Sequence, residues 1–118
     1  MVSSRGLGDV YKRQKVEETY TAEICVAGDL QDAIRLCRTF CMQQGLCVTV
    51  TPTTFVYTGG AETGVLVRLV NYPRFPRQKN EIWETAKDLA QHLRAGLAQH
   101  SCLIIDPDLS LWLSERDA

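Results

Sequence analysis

An α+β sandwich, two helices laid on one face of an antiparallel sheet of four or five strands, is the fold class that this 118-residue sequence predicts. Two observations carry the prediction. Two segments with a three- and four-residue apolar step, the signature of a one-faced helix, are each flanked by segments whose apolar residues alternate in twos. Between the helical segments, two strand patterns meet at a glycine-rich turn, as in a hairpin.

Tyr20–Ala27 puts Tyr20, Ala22, Ile24 and Val26 on one side and Thr21, Glu23 and Cys25 on the other, which predicts a half-buried strand. Gly28-Asp29 ends it, and Asp29 is a good helix N-cap whose carboxylate also suits the positive helix end. Leu30, Ala33, Ile34, Cys37, Phe40 and Cys41 then recur at helical spacing to about Gln44, with Gly45 as the left-handed residue that stops the helix. Leu46–Val50 predicts a second strand, with Pro52 marking an edge, bulge or bend before Thr53–Thr58 resumes the pattern. Gly59-Gly60 and Gly64 predict a hairpin tip over Thr58–Gly64, and Val65–Asn71 a third strand. After a loop stiffened by Pro73 and Pro76, a second helix starts near Lys79-Asn80, with Asn80 as its expected cap. Its stripe is Ile82, Ala86, Leu89, Leu93 and Leu97, flanked by Trp83 and Ala90. Ser101–Ile105 is a fourth strand, and beyond the Asp106-Pro107-Asp108 turn Ser110–Ser114 pairs back as a short fifth. This order, βαββαβ with an added strand, is that of the ferredoxin-like sandwich, and it fills a single α+β domain over 19–114.

The first fourteen residues, MVSSRGLGDVYKRQ, follow neither period and resemble translated sequencing-adapter read-through at the end of a fragmentary metagenomic reading frame, so 1–14 is read as a non-native or disordered tail. The segment holds three of the 13 Lys/Arg and one of the 14 Asp/Glu, leaving ten against thirteen and a net charge of −3 for the rest. Such a domain is a poor binder of duplex nucleic acid, which is held by cations on phosphates. With no apolar run approaching the roughly 20 residues of a membrane span, and no secretory leader pattern, neither a membrane nor export is expected and a cytoplasmic protein is the default. Five cysteines, an odd number, argue against a disulfide framework. Cys37 and Cys41 share a helix face but lack further ligands to complete a metal site, so they read as structural thiols.

No catalytic signature stands out. His92 and His100 have no carboxylate or serine placed to form a triad, and both read as exposed. The glycine-rich Thr58–Gly64 lies between strands, whereas phosphate loops precede a helix. What remains is a density of aromatic and cationic side chains. Thr51–Gly60 carries Phe55, Tyr57 and Thr58, and a second group is Arg68 with Asn71, Tyr72, Arg74, Phe75 and Arg77. Guanidinium groups hold phosphates and aromatic rings stack on bases, so Arg68, Asn71, Tyr72, Arg74, Phe75, Arg77, Tyr57 and Thr58 form the expected ligand site, for a nucleotide and with no cofactor or metal. The bland reading of the same residues is structural: Tyr72 and Phe75 capping the core, and Arg68 paired with Glu23. Arg68 belongs to the strand face turned from the helices, where Leu66, Val70, Cys25, Cys47 and Cys102 suggest an apolar surface and self-association as a dimer or higher oligomer.

CVTVTPTTFVYTGG (Cys47–Gly60) and LVNYPRFP (Leu69–Pro76) resemble stretches of small phage-type hypothetical proteins of ferredoxin-like fold. In kind the chain is similar to phage anti-defence sponges that sequester nucleotide immune signals. The resemblance implies a non-catalytic, oligomeric binder of a nucleotide, acting in the host cytoplasm. Two other readings stand beside it: a protein–protein adaptor using the open sheet face or the Trp112 edge, and a small phosphodiesterase-type enzyme using His92 or His100.

Overall fold

The computed structural model describes residues 13–115. The segment read as a tail therefore lies outside the described residues, apart from Arg13 and Gln14. The elements are β1 (Thr21–Ala27), α1 (Leu30–Gln44), β2 (Thr49–Tyr57), β3 (Gly60–Val70), α2 (Lys79–Gly96), β4 (Ser101–Ile105) and β5 (Ser110–Ser114). The strands form one antiparallel sheet in the order β2-β3-β1-β4-β5, with both helices on one face. This is the ferredoxin-like α+β architecture, with β5 added beside β4.

Alternation along each strand decides which face is buried. Ile24 and Val26 of β1, Val65, Val67 and Leu69 of β3, and Cys102 and Ile104 of β4 point at the helices. They meet Ala33, Cys37 and Phe40 of α1 and Ile82, Ala86, Leu89, Ala90 and Leu93 of α2 in one core. Each buried aliphatic side chain stabilises by about 1.5–3 kcal/mol relative to exposure, so this face carries the fold. At the start of α1, Asp29 accepts the Asp32 N–H at 3.0 Å, and at its end Gly45 turns left-handed at φ 66°.

Four expectations are corrected. β2 begins at Thr49 and not at Leu46, and it runs unbroken through Pro52, whose edge reading holds because the proline needs no ladder hydrogen on the outer side of an edge strand. The turn is only Thr58-Gly59, with Gly59 at φ 93°, and Gly60–Gly64 belongs to β3, paired residue for residue with Thr53–Tyr57. The N-cap of α2 is Gln78, whose backbone N–H donates to Glu81 Oε1 at 2.9 Å, so Asn80 sits inside the first turn. Cys102 lies on the helix face, its thiol directed at the Ala90 carbonyl, and so adds nothing to the open face.

Candidate functional site

The eight residues singled out from the sequence do not form one site. Tyr57 and Thr58 sit at the hairpin turn, whereas Asn71–Arg77 follows the opposite end of β3, about 33 Å away at the rise of a strand. Within the loop, Tyr72 and Phe75 stand 6.3 Å apart and the Arg74 guanidinium lies 5.3 Å over the Phe75 ring. Asn71 is a staple: its Nδ2 donates to the Glu18 carbonyl at 3.0 Å, and its Oδ1 accepts the Arg77 N–H at 3.0 Å. The Arg77 guanidinium donates to the Gly45 carbonyl at 3.3 Å, tying the loop to the end of α1. Tyr72, Phe75 and Arg77 close on a cavity of only about 50 Å³, too small for a base. Arg68 and Tyr72 do meet, at a shallow apolar depression beside Cys47 and Val70. Glu23 stands directly across from Arg68 on β1, yet among the described residues no ion pair joins them.

Neither histidine stands in a catalytic setting. His92 is half-buried rather than exposed, its ring 5.8 Å from that of Phe40 between the helices and its Nε2 buried without a hydrogen-bond partner. His100 is exposed beyond α2. Asp106 is a structural carboxylate, accepting from Tyr20 Oη at 2.8 Å and from the Asp108 and Leu109 N–H groups at 2.8 and 2.6 Å. Burial pushes the Asp106 carboxyl up, but these hydrogen bonds and Lys79 outweigh it and hold it below the usual aspartate value. Burial and the same carboxylate push the Tyr20 phenol well above its ordinary value. A polar groove of about 450 Å³ opens beside this cluster. Several of its polar groups are already engaged: Lys79 pairs with Asp108 at 2.8 Å, and Asn71 and Arg77 hold the loop.

The open sheet face holds a different arrangement. Register places Thr51, Leu66, Cys25, Leu103 and Trp112 in one row across all five strands, with Gly64, Ala27 and Ser101 in the next. Phe55 and Glu62 stand opposite each other just beyond, at the base of the hairpin arm. The Phe55 ring leans across Gly64 toward Val26, so an aromatic wall rises on one side, and Trp112 of β5 makes the other. Between them runs a trough of about 260 Å³ whose floor is Ala27, Cys25, Ser101 and Leu103, with Glu62 as its carboxylate. That volume falls just below the range of about 300–1,000 Å³ usual for small-ligand sites, so a ligand here would protrude from an open trough. From β3 to β5 is three interstrand steps, about 14 Å, wide enough for a planar heterocycle to stack on one ring but not on both at once. Burial pushes the Cys25 thiol up, with Glu23 and Cys102 adding to the effect, so it is a neutral floor residue and a weak nucleophile. The arrangement can stack a flat ring and attract a cation over an apolar floor.

In the sequence Phe55 and Trp112 stand out only as separate aromatic residues, and Glu62 falls inside the expected hairpin tip. Counting back from Arg68 in twos gives Leu66, Gly64 and Glu62 on the open face, a signal hidden by reading Thr58–Gly64 as a turn.

No protein-family model matches the sequence, and no curated protein matches it. Among solved structures, a phage SAM lyase in its apo state aligns over 84% of this chain and 91% of that one, with a TM-score of 0.73 and 16% identity. A phage SAM lyase in complex with S-methyl-5′-thioadenosine aligns over 88% and 95%, with a TM-score of 0.73 and 14% identity. The periplasmic divalent cation tolerance protein CutA from Archaeoglobus fulgidus aligns over 86% and 88%, at a TM-score of 0.49 and 16% identity. At these identities the likeness is one of fold, and the phage neighbours accord with the small phage-type resemblance. They overturn the functional expectation, however. The solved neighbours at TM-score 0.73 are enzymes, which runs against a non-catalytic sponge for a nucleotide signal and against the leaning away from catalysis. The enzyme alternative accords better with these neighbours, which are lyases and not phosphodiesterases.

Proposed function

We propose that this protein is a lyase that cleaves a sulfonium nucleoside of the S-adenosylmethionine type in the open-face trough. The observation that carries the reading is the trough itself: two aromatic walls and one carboxylate over an apolar floor, in an architecture like that of a SAM lyase. The substrate has a flat adenine, a positive sulfur and an amino-acid tail. An aromatic wall stacks on adenine. Glu62 attracts the cationic sulfur and ammonium groups.

The chemistry needs neither cofactor nor external base. The substrate's own carboxylate oxygen forms a bond to its γ-carbon, the γ-carbon–sulfur bond breaks, and the electron pair of that bond stays on sulfur. The products are a five-membered lactone and S-methyl-5′-thioadenosine, which leaves as a neutral thioether. Opposite charges cancel in this step, so the apolar floor of Ala27, Cys25 and Leu103 favours the transition state over the solvated ground state. The groups of the trough hold the folded-back conformer in which carboxylate and carbon meet.

The test is incubation of the protein with S-adenosylmethionine and chromatography of the products over time. S-methyl-5′-thioadenosine and homoserine lactone should accumulate in equal amounts, and reaction in ¹⁸O-water should leave the fresh lactone unlabelled. Intact substrate after prolonged incubation at high protein concentration would remove the reading.

A further inference from the structure

Gly64 lies within β3, paired with Thr53 on one side and Ala27 on the other. Its backbone is not left-handed, unlike those of Gly28, Gly45 and Gly59, so conformational freedom does not account for a glycine here. Space does. A Cβ at this position would overlap Phe55 Cε2 and stand 2.8 Å from Phe55 Cδ2 and 2.7 Å from the Val26 carbonyl oxygen. Phe55 is otherwise a residue of an edge strand near the exposed hairpin tip, where its neighbours Val56 and Tyr57 are largely exposed. The missing side chain at 64 lets the ring leave that position, lie over β3 and become half-buried. A bare glycine covered by a cross-strand aromatic ring is a known way to repair a weak strand position. Here the covering ring also forms one wall of the trough.

We propose that Gly64 is a positioning residue that sets the Phe55 ring as the stacking wall for the base of the ligand, and so makes the site selective for a nucleoside. The inference rests on the reading of the trough as a nucleoside-sulfonium site. It adds that one missing methyl group creates the base subsite. With alanine at 64 the ring has to swing back toward the hairpin tip, and the Val26 carbonyl, 2.7 Å from the same Cβ, presses β3 and β1 apart at that pair. The wall is lost while Trp112, on β5, stays in place. The base then loses the ring on which it stacks.

The probe is S-methyl-5′-thioadenosine, which carries the base without the sulfonium charge. Its affinity is measured by calorimetry for the wild type, Gly64→Ala, Phe55→Leu and Phe55→Tyr, with proton spectra of the bound adenine. Phe55→Leu and Gly64→Ala should each weaken binding about five- to hundredfold, the range that stacking of about 1–3 kcal/mol per base gives at about 1.4 kcal/mol per tenfold. Phe55→Tyr should bind as the wild type does. The upfield ring-current shift of the adenine protons should shrink in the two weakened variants and persist in Phe55→Tyr, a change that mere loosening of the fold does not produce. If Gly64→Ala fails to fold, Phe55→Leu decides the role of the wall. A wild type that binds the probe and a folded Phe55→Leu that binds it equally well would overturn the inference and leave the proposed reaction standing. A wild type that neither binds the probe nor turns over S-adenosylmethionine would overturn both.

Discussion

On the helix side of the sheet, Ile24, Val65, Val67, Leu69 and Ile104 are at most 1% exposed, while on the other side Val70 and Trp112 keep 42% and 54% of their surface in water. The two faces are built from the same strands, one residue apart. The covered face has aliphatic side chains chosen for packing. The open face mixes Thr, Cys, Leu, Arg, Glu and aromatic residues that no single packing requirement selects. Exposed apolar surface that does not serve the core usually marks a site of binding. In a two-layer sandwich, stability and chemistry can thus be assigned to opposite faces, and substitutions should separate accordingly.

The largest expected effect on stability belongs to the covered face. Leu89→Ala, deep between α2 and the sheet, should lower unfolding free energy by about 2–5 kcal/mol, measured by urea denaturation. Its activity per folded molecule should be unchanged. A selective loss of activity at full stability would break the division between the faces.

Next comes the Tyr20–Asp106 hydrogen bond, which ties the start of β1 to the β4–β5 turn at 2.8 Å. Tyr20→Phe removes a donor to a carboxylate and should cost about 1–3 kcal/mol near neutral pH. The sign with pH follows from the directions of the shifts. Asp106 is held below its ordinary value in the folded state, so its contribution is present above the ordinary aspartate value near pH 4 and lost as pH falls through the folded value. Tyr20 is held above its ordinary 10.0, so its contribution is present below pH 10 and fades in stronger base. The variant should therefore lose stability less steeply in acid than the wild type. Equal acid slopes would show that the bond does not couple to Asp106.

On the open face the effects invert. Glu62→Gln should change stability by no more than about 0.5 kcal/mol, as for ordinary surface substitutions. It should lower kcat/KM for S-adenosylmethionine about tenfold, because an exposed carboxylate facing a cation contributes at the low end of a charged hydrogen bond, about 1.5 kcal/mol. The smallest effect is expected at Arg74→Ala, whose guanidinium only rests on the Phe75 ring: stability and product formation should both stay near wild type. A loss of turnover there would return the site to the loop after β3.

Much of the fold is legible in the sequence because its signals are local. Asp29 and Gly45 bracket α1 as their chemistry dictates, and the alternation from Tyr20 to Val26 names the buried face of β1 correctly. Errors arose where one signal had two readings. Gly60 and Gly64 suggested a turn, but register with Thr53–Tyr57 makes them strand residues. Gln78 is a weak cap by residue type, and its capping contact runs from the backbone to Glu81. The site was far less legible. Phe55, Glu62 and Trp112 are brought together by pairings from β2 to β5, and no spacing in a single stretch encodes them. The Arg and Tyr cluster after β3 was conspicuous in sequence because it is contiguous. In the structure, Asn71 and Arg77 spend hydrogen bonds on holding the loop.

The central claim is that ligand chemistry belongs to the open-face trough and not to that loop. Titration of isotope-labelled protein with S-methyl-5′-thioadenosine, followed by amide chemical shifts, tests it residue by residue. The largest saturable shifts are expected at Phe55, Glu62, Leu103 and Trp112, with Tyr72, Arg74 and Arg77 unmoved. Saturable shifts concentrated on Asn71–Arg77, with the trough silent, would contradict it.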